Sequence, residues 1–209
     1  MIWLAALTVD LLLCVASYIY LPLPIAILVI GSRQHALGLL GHDGAHGLAF
    51  ADRTVNDRFT RICFGLLGMR LIPYRLFHMP HHANLGHSGD PELPLKQHKS
   101  WWVFSWKYVA RDLAGLTSKE ALNMWRHAGG DYRLIGLVIT VMALVSPMFA
   151  VAWVIALSTV FVACNRQRMI IEHGTPYKYN ILHKLILFPH NGWKHAEHHA
   201  DASIPYYKL

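Results

Sequence analysis

The chain has 209 residues, 54% of them hydrophobic and only 15% charged, with a formal net charge of +7. A soluble domain typically carries about 25% charged residues. The shortfall, together with apolar residues grouped into long runs, excludes an ordinary soluble globular domain and points to lipid. The basic excess favours an anionic membrane face or an acidic protein as partner and argues against nucleic acid.

In chain order, Ile2 to Tyr20 is apolar apart from Asp10 and is long enough to cross a bilayer. It lacks a basic leading segment and a small-residue cleavage site, so it reads as a span and not as a signal peptide. Pro22 and Pro24 break it, and a second run starts at Ile25 and continues as helix through His46. Arg33 is expected at the cytosolic interface. The two limbs form a hairpin with a short outer turn.

Residues 50–130 are mixed. Val55 to Phe77 alternates Arg with apolar residues, and Trp101 to Arg126 is rich in Trp, Lys and Arg. Both compositions suit helices lying in the interface, with Trp101, Trp102 and Trp106 as anchors. Leu134 to Cys164 is a third apolar block, divided by Ser146-Pro147. It reads as a second tight hairpin, with one kinked span as the alternative because the first limb is short.

The expected fold is an all-α integral membrane protein, a single domain over 1–209. About four transmembrane helices (approximately 2–20, 25–46, 133–146 and 148–171) form two hairpins, joined by interfacial helices. Eighteen of the nineteen Lys and Arg fall within 50–133 and 166–208; only Arg33 lies outside. The positive-inside rule places both stretches in the cytosol.

Cys14, Cys63 and Cys164 are scattered among apolar residues, which argues against a disulfide framework or a thiolate metal site. Histidine is the anomaly, with fifteen copies. Three clusters stand out: His42-Asp43-Gly44-Ala45-His46, His78-Met79-Pro80-His81-His82 and His195-Ala196-Glu197-His198-His199. Side chains at i, i+3 and i+4 share one helical face. His42 with His46 can therefore reach one metal, as can His78 with His81 and His82, and His195 with His198 and His199. Neutral imidazole suits iron, zinc and copper alike. At this histidine content chance gives roughly 0.08 HxxHH matches, and two occur.

HDGAH, HMPHH and HAEHH, in that order, resemble the three histidine boxes of the membrane fatty acid desaturase superfamily. Its members include acyl-lipid desaturases, membrane hydroxylases and carotenoid ketolases. The resemblance runs from about His42 to the end of the chain. It implies a four-span helical fold with a cytosolic histidine-rich metal site. Two iron ions would be bound there almost wholly by imidazole, and O₂ would serve as co-substrate in taking hydrogen from an unactivated C–H bond. The ligands it implies are His42, His46, His78, His81, His82, His195, His198 and His199. Relatives often have one more histidine after the last span, where His173 stands.

Carboxylates beside the ligands, namely Asp43, Asp90, Glu172 and Glu197, are candidates to accept the outer N–H of an imidazole. Asn191, four residues before His195, is expected on the same helical face. His35 shares the face of His42 two turns deeper and is expected to be a satisfied buried histidine. His87, His98, His127, His183 and His190 are expected to be solvated or interfacial.

With no CxxC iron–sulfur pattern and no room for a fused haem domain, electrons must come from a separate ferredoxin or cytochrome-like donor and its reductase. The basic face would attract an acidic donor. The expected reaction is desaturation of a lipid acyl chain, with hydroxylation or ketolation of a lipid-soluble substrate such as a carotenoid as the alternative. The chain is closer in size to carotenoid ketolases than to many acyl desaturases. A non-enzymatic metal- or haem-binding membrane protein is the remote alternative. The expected location is the bacterial inner membrane, in preference to the endoplasmic reticulum, with the active site facing the cytosol.

Overall fold

The computed structural model describes residues 1–92, 106–172 and 179–209. All regular structure among them is helical, apart from one isolated antiparallel bridge between Met69 and Gly130.

The first hairpin pairs α1 (Ile2–Tyr20) with α2 (Leu23–Ala45). Pro24 falls in the first turn of α2, where a missing N–H costs nothing. α1 buries Trp3, Leu7, Asp10, Cys14 and Ser17, a single stripe at helical spacing. Its other faces expose Leu4, Val9, Leu12, Val15 and Ile19, as suits contact with lipid chains. α2 is buried nearly all round from Ile30 to Ala45 and forms the central post of the molecule. It packs against α1, against α3 (Arg53–Gly65), and against α8 (Pro147–Ser158) and α9 (Val160–Glu172). Small residues permit these approaches. A Cβ at Gly41 would stand 2.4 Å from the Phe64 ring, and one at Gly44 2.2 Å from Thr60 Oγ1.

α4 (Leu71–Ala83), α5 (Trp106–Leu113) and α6 (Ser118–His127) lie between the two apolar halves. The expected second hairpin forms at Ser146-Pro147. Ser146 Oγ accepts from Phe149 N, and Pro147 takes the first helical position. Its limbs are unequal. α7 (Tyr132–Val145) has 14 residues, about 21 Å at 1.5 Å per residue, against roughly 30 Å of hydrocarbon. Its partner runs on through a break at Thr159 as Pro147–Ile170. With Ile2–Tyr20 and Leu23–Ala45, it is one of three helices long and apolar enough to cross a membrane. The third apolar block thus supplies one helix of full spanning length and one shorter limb.

Two buried ion pairs pin the elements. Asp10, 1% exposed, lies 3.1 Å from Arg33 Nη1 and 2.7 Å from His190 Nε2. Arg33 therefore turns inward, and His190, expected to be solvated or interfacial, is held against Asp10. Arg33 and Ser32 also donate to the Leu185 and Ile186 carbonyls at the end of α10 (Ile181–Ile186), where intrahelical donors have run out. In the second pair, Arg166 of α9 grips Asp112 of α5, whose other oxygen accepts from Thr117 Oγ1.

Replacing Asp10 with Leu leaves the Arg33 cation without its carboxylate. We expect a loss of about 3–5 kcal/mol of stability, measured by thermal unfolding in detergent. Asp10→Leu combined with Arg33→Met is expected to recover a large part of that loss.

Candidate metal centre

Each histidine cluster sits on a helix end that its own sequence creates. His42 is in the last turn of α2 and His46 is its C-cap. The orphan carbonyls there are taken by neighbours. Asn56 Nδ2 donates to Gly44 O at 2.7 Å and Arg75 Nε to Ala45 O at 2.9 Å. Arg75 is fixed in turn by Asp57, and it stands one turn before His78 on α4, so the same residue that caps α2 registers α4 against it. The third cluster forms α11 (His195–Ala200).

These ends converge. The ligating atoms of His42, His46, His78 and His82 all lie within 4.8 Å of one another. His46 Nε2 is 3.1 Å from His78 Nε2 and 3.4 Å from His198 Nε2, and His78 Nε2 is 2.9 Å from His82 Nε2. The remaining rings close the group. His195 lies 4.8 Å from His42, His199 lies 4.3 Å from His82, and His81 lies 5.0 Å from His199, centroid to centroid. All eight box histidines belong to one cluster, in which His42, His78, His81, His195 and His198 are buried.

Hydrogen bonds around the rim decide which nitrogen faces inward. His42 Nδ1 donates to Asp43 Oδ1 at 3.1 Å, and Asp43 Oδ2 accepts from the Tyr206 backbone at 2.8 Å. His81 Nδ1 donates to Asp90 Oδ1 at 2.8 Å, and Asp90 also accepts from Gly86 N and Glu92 N. His198 Nδ1 faces the Ile204 carbonyl at 3.4 Å. Neutral imidazole carries one N–H, so Nε2 of each of these rings holds a lone pair. Arg168 Nη1, which can only donate, lies 2.9 Å from His195 Nε2, which is therefore an acceptor too.

His42 Nε2 and His81 Nε2 are buried with no hydrogen-bond partner among the described residues. Buried polar atoms are rarely left so. Inward lone pairs with outer nitrogens held by carboxylates are the donor set a transition metal takes, so these residues fit such an ion. Burial holds His78, His82 and His195 below the usual value of 6.5, with neighbouring imidazoles and the Arg168 cation adding to the effect. His82 is lowered to about 3, and His78 and His195 well below 6.5. The ligand form is thus the resting form at neutral pH.

Among the expected supporting residues, Asp43 and Asp90 meet the outer nitrogens of His42 and His81. Glu197 is exposed, two residues from His195 and hence on another side of α11. Asn191 is not on a shared helical face. Its φ of 55° places it outside α11, and its side chain donates to Tyr206 O. The Glu172 side chain and His173 lie outside the described residues, as do His98, Trp101 and Trp102. Two residues escaped sequence reasoning. Arg168 points into the cluster from α9, and Glu92, 5% exposed, reaches within 3.7 Å of His81 Nε2. A second acid two residues past Asp90 was the available signal for Glu92.

An apolar cavity of about 90 Å³ opens beside the cluster. His42 and Glu92 line its metal end, and Phe64, Leu67, Phe161 and Met169 line its walls. His35 lies further along it, and its Nε2 has no hydrogen-bond partner among the described residues, contrary to the satisfied histidine expected there.

Fold and site define a class: a helical membrane protein with a histidine cage able to hold metal at one end of its helices. The family follows. The model described as Fatty acid desaturase matches residues 19–209, and the chain belongs to that family of desaturase- and hydroxylase-like oxidoreductases, which typically bind metal through histidines. No curated protein and no solved structure matches the chain.

Because His78, His82 and His195 are held below 6.5, the unfolded chain binds more protons than the folded one once the pH drops below that value. We expect the metal-free protein to keep its full stability above about pH 6.5 and to lose it progressively on acidification, with the His82 contribution continuing down to about pH 3. Thermal midpoints measured across that range check this; a flat profile would contradict it.

Proposed function

We propose that this protein is a membrane non-haem di-iron oxidoreductase that uses O₂ and external electrons to desaturate a lipid acyl chain. The observation that carries this reading is the shared wall. His42 belongs both to the imidazole cluster and to the lining of the apolar cavity, so an apolar chain in that cavity abuts the metal end directly.

The residues proposed to hold iron are His42, His46, His78, His81, His82, His195, His198 and His199. His173 is the ninth by family resemblance. The spread of the cluster, from the His42/His46/His78/His82 group to the His81/His199 side, supports two ions over one. Bound there, iron would supply the oxidising power that breaks an unactivated C–H bond with O₂. The chain's own part is positional. Asp43 and Asp90 hold ring orientation, and Phe64, Leu67 and Phe161 exclude water from the space beside His42. Exposed Arg53, Arg58 and Arg61 of α3, with Arg70, Arg126 and Arg133, support docking of an acidic ferredoxin or cytochrome-like donor served by its reductase. The same arginines support a cytosolic active site; the proposed location is the bacterial inner membrane.

The size of the cavity favours a second reading. At about 90 Å³ it is smaller than the roughly 150 Å³ site that takes benzene, so it admits a segment of a few carbons and not a whole chain. Hydroxylation or ketolation of a lipid-soluble substrate such as a carotenoid, oxidised near one end, fits that dimension.

Two measurements test the proposal. Metal analysis of purified protein is expected to find about two irons per chain, and a haem spectrum or an absence of bound metal would refute the reading. Mass spectrometry of lipid extracts with and without expression separates the reactions. Loss of two hydrogens means desaturation, gain of one oxygen means hydroxylation, and gain of oxygen with loss of two hydrogens means ketolation. His81→Ala is expected to abolish product and lower iron content while the protein still inserts into membranes; full activity would refute the ligand assignment.

A further inference from the structure

The imidazole cage has a carboxylate in its wall that no histidine pattern announces. Glu92 is buried, and its Oε2 has no hydrogen-bond partner among the described residues. It lies 3.7 Å from His81 Nε2, itself buried and without a hydrogen-bond partner there. The two atoms are held opposite each other by one group. Asp90 Oδ1 accepts from His81 Nδ1 at 2.8 Å and from the Glu92 backbone N at 2.8 Å.

That arrangement has a chemical consequence. With its proton on Nδ1, neutral His81 presents a lone pair at Nε2. The lone pair therefore faces an acceptor-only carboxylate across 3.7 Å, with no donor between them. Two desolvated acceptors held in this way repel unless a cation lies between them. Nitrogen and oxygen ligands of a divalent first-row ion each sit at about 2.0–2.2 Å, so two ligands of one ion lie at most about 4.3 Å apart. The observed separation is inside that limit. Glu92 also lines the cavity beside His42, on the side where the cage meets the apolar space.

We infer that Glu92 is an oxygen ligand of the same metal as His81, which makes the centre a mixed imidazole–carboxylate site. This rests on the metal-centre reading proposed above and adds to it a charged ligand at the cavity end. A ring of neutral imidazoles leaves the whole charge of the metal to be balanced from outside, whereas one directly bound carboxylate cancels a unit of it within a dry site. The assignment also gives Asp90 a second task, since it positions both ligands of that ion.

The test uses the full-length protein in detergent, loaded with ⁵⁷Fe(II). Mössbauer spectra and iron retention against a chelator are compared for wild type, Glu92→Gln and Glu92→Asp. Gln keeps the shape and removes the charge; Asp restores the charge on a shorter arm. In Glu92→Gln one iron site is expected to change its quadrupole doublet and to lose affinity by about tenfold or more, with partial recovery in Glu92→Asp. In wild type labelled with ¹³C-glutamate, iron binding is expected to shift a carboxylate stretching band in the infrared, a readout that does not depend on how the variants fold. A Glu92→Gln spectrum and retention equal to wild type, or an unshifted infrared band, would overturn the inference and leave a shared His81–Glu92 proton as the cation. Wild type that retains no iron would instead overturn the metal-centre reading itself.

Discussion

The rest of the structure depends on keeping a crowd of buried imidazoles neutral with their lone pairs turned inward. Nε2 atoms at 2.9–3.4 Å from one another cannot all be protonated in a space from which water is largely excluded. The protein solves this at the rim. Asp43, Asp90 and the Ile204 carbonyl each face an outer nitrogen and so fix the tautomer. What remains inside is a set of mutually repelling acceptors, which the surrounding fold must hold together when no cation does so.

That holding is done by contacts between segments far apart in the chain. The Tyr206 backbone reaches Asp43 across 163 residues, and Trp3 packs edge-on against Tyr206 and Tyr207. His190 reaches Asp10 across 180 residues. The C-terminal segment is therefore strapped to both helices of the first hairpin, and α11 with its three histidines is carried to the end of α2 by that strap. On the other side Arg75 joins α2, α3 and α4 by satisfying carbonyls that α2 cannot satisfy itself. The end of one helix is thus the anchor for the next ligand-bearing helix.

Those features explain what could be read from the sequence. Periodic, local properties were legible: the apolar lengths of α1 and α2, the break at Ser146-Pro147, and the i, i+3, i+4 spacing of His78, His81 and His82. Pairings set by tertiary closure were not. Nothing local relates Asp10 to His190, or Arg168 to His195. The expectation for Asn191 failed because it assumed a helix running unbroken from Asn191 to His195, whereas His190 and Asn191 both take positive φ and interrupt it. Glu197 failed for the opposite reason: the helix is regular there, and a residue two positions from His195 turns away from it. The limb expected at 133–146 forms as a helix over Tyr132–Val145, its short length already legible from the break at Ser146-Pro147.

Two of the polar residues that line the mainly apolar cavity also bear on what it accepts. Glu92 lies at the metal end and His35 further along α2, seven residues and so about 10 Å from His42 along the axis. A wholly hydrocarbon segment would leave the His35 nitrogen without a partner in a dry site, at a cost of about 1–3 kcal/mol. A segment carrying an oxygen at that distance from the oxidised carbon would satisfy it. Under the function proposed above, that hydrogen bond at His35 would discriminate between substrates. It favours one with a polar group placed along the chain over one that is featureless, by the logic through which buried polar groups confer specificity.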